Sequence, residues 1–79
     1  MKFSVIVTLK KDVLDPQGKV VQNTLIGMGM SNLKSIRQGK HFEIEVEDND
    51  KDSAEKKVDK MCKKLLVNLI IEDYKINKI

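Results

Sequence analysis

Few side chains in this chain could move a proton, attack carbon or hold a metal. His41 is the one histidine and Cys62 the one cysteine of 79 residues. With no second histidine, and no serine at a strand-to-helix elbow, the sequence offers no nucleophile–base pair, and hydrolytic catalysis is not expected. Cys62 falls at helical spacing among Val58, Met61, Leu65 and Leu66, the setting of a small core hydrophobe rather than a reactive thiol. His41 reads as a surface residue at the edge of a strand. Glu43, Glu45 and Glu47 alternate with Phe42, Ile44 and Val46. Carboxylates two apart on a strand stand about 7 Å from one another, too far to share a small ion without other ligands. That row reads as a solvated face with no metal. Gly27-Met28-Gly29 closes a helix where a phosphate loop would open one, so no nucleotide cofactor is expected on this chain alone.

Two stretches carry more than a generic fold needs. Arg37-Gln38-Gly39-Lys40-His41-Phe42 has the basic, glycine and aromatic order of an RNA-binding strand. Its base-stacking platform is missing, because alternation turns Phe3, Phe42 and Tyr74 inward. No nucleic-acid partner is expected. Arg37 and Lys40 then read either as a solvated turn or as two cations that hold a partner protein's carboxylates or an anionic ligand. In Lys10-Lys11-Asp12-Val13-Leu14-Asp15-Pro16-Gln17-Gly18, Asp15 suits a helix N-cap and Pro16 the first helical position. Gly18 in the first turn costs about 1 kcal/mol against alanine, which capping alone does not explain.

The elements that position these residues follow from periodicity. Phe3, Val5, Val7 and Leu9 alternate with Ser4, Ile6, Thr8 and Lys10, predicting a half-buried strand over 2–10, with Ile6 a lone apolar residue on the polar face. Val21, Leu25 and Met28 put one apolar stripe on a helix from Pro16 to Met28, and Gly29 suits the left-handed position that ends it. Leu33–Arg37 and His41–Glu47 read as two strands joined through Gln38-Gly39. Asp52, with Glu55 three residues on, predicts a capped helix start, Asp50 being the alternative cap. Ala54, Val58, Met61, Cys62, Leu65 and Leu66 keep helical spacing, Asn68 can end the helix, and a last strand over 70–79 turns Tyr74 and Ile76 inward. The order β-α-β-β-α-β predicts an α+β fold: a ferredoxin-like two-layer sandwich, a four-stranded antiparallel sheet with two helices on one face. Residues 1–79 read as a single domain without a linker.

Composition narrows the setting. A chain this short buries only about 60% of its unfolded surface, so self-association or a partner is expected to supplement its stability. No run of about 18 apolar residues could cross a membrane, and the N-terminus has no small-residue cleavage site. A single cysteine fits a reducing compartment, so a cytoplasmic location is expected. The net charge of +3, from 15 basic and 12 acidic residues in mixed order, gives no reason to invoke nucleic acid.

Val7-Thr8-Leu9-Lys10 followed by Val13-Leu14-Asp15-Pro16-Gln17-Gly18, then Gly29, Arg37-x-Gly39-Lys40, Met61-Cys62-x-Lys64-Leu65-Leu66 and Asn68-x-x-Ile71-Glu72-Asp73-Tyr74, in this order, resemble the small subunit of phosphoribosylformylglycinamidine synthase. The chain departs from that pattern at Val67, where the family usually has alanine, and at Leu69, where it usually has proline. The resemblance implies an accessory subunit without catalytic residues, self-associating as a homodimer or higher. It would join a large ATP-dependent subunit to a glutaminase and help ammonia pass between them. Formylglycinamide ribonucleotide, ATP and glutamine would become formylglycinamidine ribonucleotide, ADP, phosphate and glutamate. ATP and Mg are then used by the large subunit, not by this chain. Asp15, Pro16, Gln17, Gly18, Arg37, Gly39 and Lys40 are expected to form part of the docking surface. The rival expectation is a regulatory module of ferredoxin-like fold that binds a small effector at a dimer interface.

Overall fold

The computed structural model describes residues 1–79. The strand predicted at the N-terminus is the centre of the sheet. β1 (Lys2–Leu9) pairs antiparallel with β2 (Gly39–Glu45) on one side and with β3 (Glu72–Lys78) on the other, giving the order β2-β1-β3. Val5 lies between Phe42 and Ile76, and Val7 between Lys40 and Tyr74. Alternation therefore places Phe3, Val5 and Val7 on the inner face, where they are fully buried, and leaves Ile6 exposed on the outer one.

One helix covers that inner face. α2 (Lys51–Met61) continues into a π-helical turn, Cys62–Leu66, and contributes Ala54, Val58 and Cys62 to a core completed by Val67. Its N-cap is Asp50, whose side chain accepts from the Asp52 amide at 3.2 Å, so the alternative cap is the one used, not Asp52. The reason lies two residues earlier. Asp48 accepts from the Asp50 amide at 3.0 Å and from Lys57 Nζ at 2.9 Å, which draws the chain into the helix early. The wide last turn, closed by the Val67 amide on the Cys62 carbonyl at 3.0 Å, shifts the register. Cys62 and Val67 go inward and Leu65, expected inward, points to solvent.

Three further expectations fail. Leu33–Arg37 forms no regular element and joins no ladder, so the sheet has three strands, not four. α1 (Pro16–Gly27) packs on neither the sheet nor α2, so the two helices do not share one face and the ferredoxin-like layer is not formed. Phe42, Ile44, Tyr74 and Ile76 accordingly remain half-buried under one helix. The last strand also begins at Glu72 rather than Ile70. Asn68 Oδ1 accepts from the Ile70 amide, the Asn68 carbonyl from Ile71 and Glu72, and Glu72 Oε1 from the Asn68 amide, so residues 68–71 close a turn.

α1 instead projects with the segment that follows it. Its N-cap is Asp15 with Pro16 in the first turn, as predicted, and Gly29 at φ 102° reverses the chain after it. Residues 30–38 then run back along the helix. The Met30 amide bonds the Leu25 carbonyl at 3.2 Å and Gln22 Nε2 the Lys34 carbonyl at 3.3 Å. Of the predicted stripe, Leu25 is half-buried while Val21 and Met28 are exposed. The molecule measures 50 × 25 × 14 Å with a radius of gyration of 16.1 Å, against about 12 Å for a compact chain of this length.

Candidate docking surface at the root of the arm

The arm formed by α1 and residues 30–38 meets the sheet where the two predicted stretches come together. Asp15 is only 8% exposed. Its Oδ1 accepts from the Gly18 amide at 2.9 Å, and its Oδ2 accepts from the Gln38 amide at 2.7 Å. One carboxylate thus caps the helix and fastens the returning segment. Those amides, Gln38 first and then Gly18, hold its pKa below the usual carboxylate range, against partial desolvation and with help from Arg37, whose Nε lies 3.9 Å away. Arg37 spreads its guanidinium over the chain leaving β1. Nη2 donates to the Val13 carbonyl at 2.7 Å and to that of Lys10 at 3.1 Å, and Nη1 to Lys11 at 3.3 Å. Lysine has no such fork.

The two glycines here are needed for close approach. A Cβ on Gly18 would stand 2.7 Å from Asp15 Oδ2 and 2.8 Å from the Ile36 carbonyl oxygen. On Gly39 it would stand 2.6 Å from the Val7 carbonyl oxygen, inside the β1–β2 ladder. That is the physical use of Gly18, which capping did not explain.

Above this base, Pro16, Gln17, Arg37, Gly39 and Lys40 are exposed, while Asp15 and Gly18 lie beneath. Asp15, Gln17, Gly39 and Lys40 border one cleft of about 260 Å³ with Gln38 and Glu72. It is polar and at the small end for a ligand pocket. Two of its residues were not singled out from sequence as site residues. Gln38 donates its side-chain amide to Gln17 Oε1 at 2.8 Å, and Glu72 stands 3.5 Å from Lys40. Glu72 is brought there by register, since Lys40 pairs with Val7 and Glu72 with Leu9 across β1.

Elsewhere the structure brings together one pair that the sequence did not suggest, Ser4 Oγ and His41 Nε2, 2.6 Å apart on the outer sheet face. Acyl transfer would need a third group to orient the imidazole, oxyanion donors and a cavity. The imidazole has no second hydrogen-bond partner, and the pair is exposed on an open sheet face. Cys62 is buried, and desolvation, with Asp59 nearby, pushes its thiol pKa up, away from reactivity. No three histidine, cysteine, aspartate or glutamate side chains are grouped to hold a metal.

The geometry defines a small α+β protein whose most worked surface is a polar joint and a projecting arm. The family model for phosphoribosylformylglycinamidine (FGAM) synthase, PurS, matches residues 2–79, and the chain belongs to that family. It is 45% identical over 74 residues to the PurS subunit of Bacillus subtilis, covering 94% of this chain and 87% of the relative. The PurS subunit of Methanocaldococcus jannaschii is 40% identical over 75 residues, covering 95% and 90%. Among solved structures, B. subtilis PurS superposes with a TM-score of 0.86 at 43% identity over 96% of this chain and 94% of that one. The PurLQS structure from Thermotoga maritima superposes at 0.91, with 33% identity over 99% and 95%.

Proposed function

We propose that this chain is the accessory, bridging subunit of FGAM synthase. It joins the large ATP-dependent subunit to the glutaminase and assists ammonia transfer, with ATP and Mg held by the large subunit, in the cytoplasm. The observation that carries the reading is the arm: Val20, Ile26, Met28 and Met30 are exposed on a projection that nothing in the chain covers. Apolar surface so displayed is the mark of an interaction site. The T. maritima relative sits in a structure of PurLQS, which supports such an assembly.

Part of that surface is assigned to a second copy. Leu33–Arg37 joins no ladder, and Lys34, Ser35 and Arg37 are exposed. Antiparallel pairing with the same segment of another copy, about a two-fold axis at Ser35, would give its backbone groups the ladder partners that they lack in one chain. Pro16, Gln17, Gly39 and Lys40, with Arg37 at the edge, then present the docking surface for the other subunits, and Asp15 and Gly18 shape it from below. The test is reconstitution. Glutamine-driven FGAM synthesis is expected only when all three proteins are mixed, and a full rate without this chain would overturn the reading.

A further inference from the structure

The α1 arm is joined to the sheet by polar contacts rather than by a packed core. Phe3, Val5, Val7, Ala54, Val58, Cys62 and Val67 make up that core, and no arm residue is among them. Two chain segments cross between arm and sheet, 10–15 outward and 36–39 on the return. They are tied to each other at two side chains. Arg37, on the returning segment, holds the carbonyls of Lys10, Lys11 and Val13 on the outgoing one. Asp15, on the outgoing segment, holds the amide of Gln38 on the returning one. The Lys10 amide in turn bonds the Ile71 carbonyl at 2.9 Å, anchoring the outgoing segment to the chain that enters β3. Gly18 lets the first turn of α1 press against the Ile36 carbonyl, so the helix moves with this joint.

A lever held at a polar joint can be loosened without disturbing any apolar packing. The exposed rim residues Gln17 and Lys40 border the cleft over Asp15, so a partner seated there presses on the same joint that sets the direction of α1. The geometry points to Asp15 and Arg37 as positioning residues, which hold the arm at one angle to the sheet so that partners bound at the rim and along the arm are in register for glutamine-driven amidation. They touch no substrate. This inference rests on the bridging role proposed above.

The experiment uses the full chain with both other subunits. Arg37→Lys keeps the charge but cannot span three carbonyls, and Asp15→Asn keeps the shape but replaces one acceptor oxygen with a donor. Each variant is expected to lower glutamine-driven synthesis at least tenfold, while synthesis fed with ammonium salt in place of glutamine stays at the wild-type rate. Amide hydrogen exchange is expected to quicken at Gly18, Gln38 and along α1, with β1 unchanged. Val58→Ala, which weakens the core and leaves the joint intact, is expected to keep the wild-type glutamine-driven rate well below its melting temperature. The inference is overturned if Arg37→Lys loosens α1 yet retains the glutamine-driven rate, if the ammonium-fed rate falls in step, or if Val58→Ala reproduces the loss. The bridging role is judged apart from this, by whether omitting the wild-type chain abolishes glutamine-driven synthesis.

Discussion

At the scale of single residues, the most informative contacts are those where one side chain serves two segments. Tyr74 on β3 donates its hydroxyl to Asp59 on α2, and Asp59 also takes Lys63 Nζ at 3.0 Å. The bond to the carboxylate pushes the Tyr74 pKa up to about 12 and, with Lys63, holds that of Asp59 below the usual range. The two shifts act at opposite ends of the pH scale. A tyrosine with a raised folded pKa contributes stability below its unfolded value near 10 and loses it as pH climbs through about 12. Carboxylates with depressed values, here Asp15, Asp48 and Asp59, contribute above about pH 4 and lose that contribution as pH falls below it. Melting temperature against pH is therefore expected to hold level through neutrality and fall at both ends. Tyr74→Phe is expected to cost about 1 kcal/mol at neutral pH, and to remove the share of the alkaline fall that this hydroxyl causes. A variant with an unchanged alkaline limb would show that the phenol is not the group titrating. The sequence could place Tyr74 and Asp59 on a strand and a helix, but not opposite each other, because that depends on how α2 lies across the sheet.

At the scale of elements, period and turn chemistry account for what was legible. β1, the capped start of α1, and the inward positions Ala54, Val58 and Cys62 stand where alternation, Asp-Pro and helical spacing place them. What failed did so for local reasons. The π turn is a matter of one extra residue in a helical loop, which a 3.6 period cannot anticipate. It predicts an unequal pair. Val58→Ala opens a void among fully buried neighbours and is expected to cost about 2 kcal/mol, whereas Leu65→Ser, though it removes a larger side chain, is expected to stay within about 0.5 kcal/mol. Urea denaturation of the isolated chain measures both, and a costly Leu65→Ser would mean that the last turn is α-helical in solution. Gly39→Ala tests the ladder in the same way. Its methyl would crowd the Val7 carbonyl, and a loss of about 2 kcal/mol is expected. As for the residues proposed for docking, spacing exposes their capping and turn chemistry, and the family resemblance singles them out. The pairing register then brought 15–18 and 37–40 together.

At the scale of the whole molecule, the failed sandwich and the exposed apolar surface are one fact. Val21, Leu25 and Met28 give α1 an apolar stripe at helical spacing, which implies a surface to lie on. Within the chain only the returning segment 30–38 lies along α1, and only α2 covers the inner face of the sheet. A core of seven buried apolar residues is small for an independent fold, so stability is expected to come in part from association. For a dimer that unfolds to separate chains, each tenfold dilution lowers the apparent stability by about 1.4 kcal/mol. The melting temperature is accordingly expected to fall with dilution, in contrast to a self-sufficient monomer. Ile26→Lys, on the arm and away from the seven core residues, is expected to reduce the sedimenting mass to that of one chain while leaving the far-ultraviolet circular dichroism in place. If the variant sediments as the wild type does, the apolar face of α1 is not the self-association surface. Segment 33–37 and the open edges of β2 and β3 would then be the remaining routes, and charge reversal at Lys75 on the β3 edge would be the next measurement to separate them.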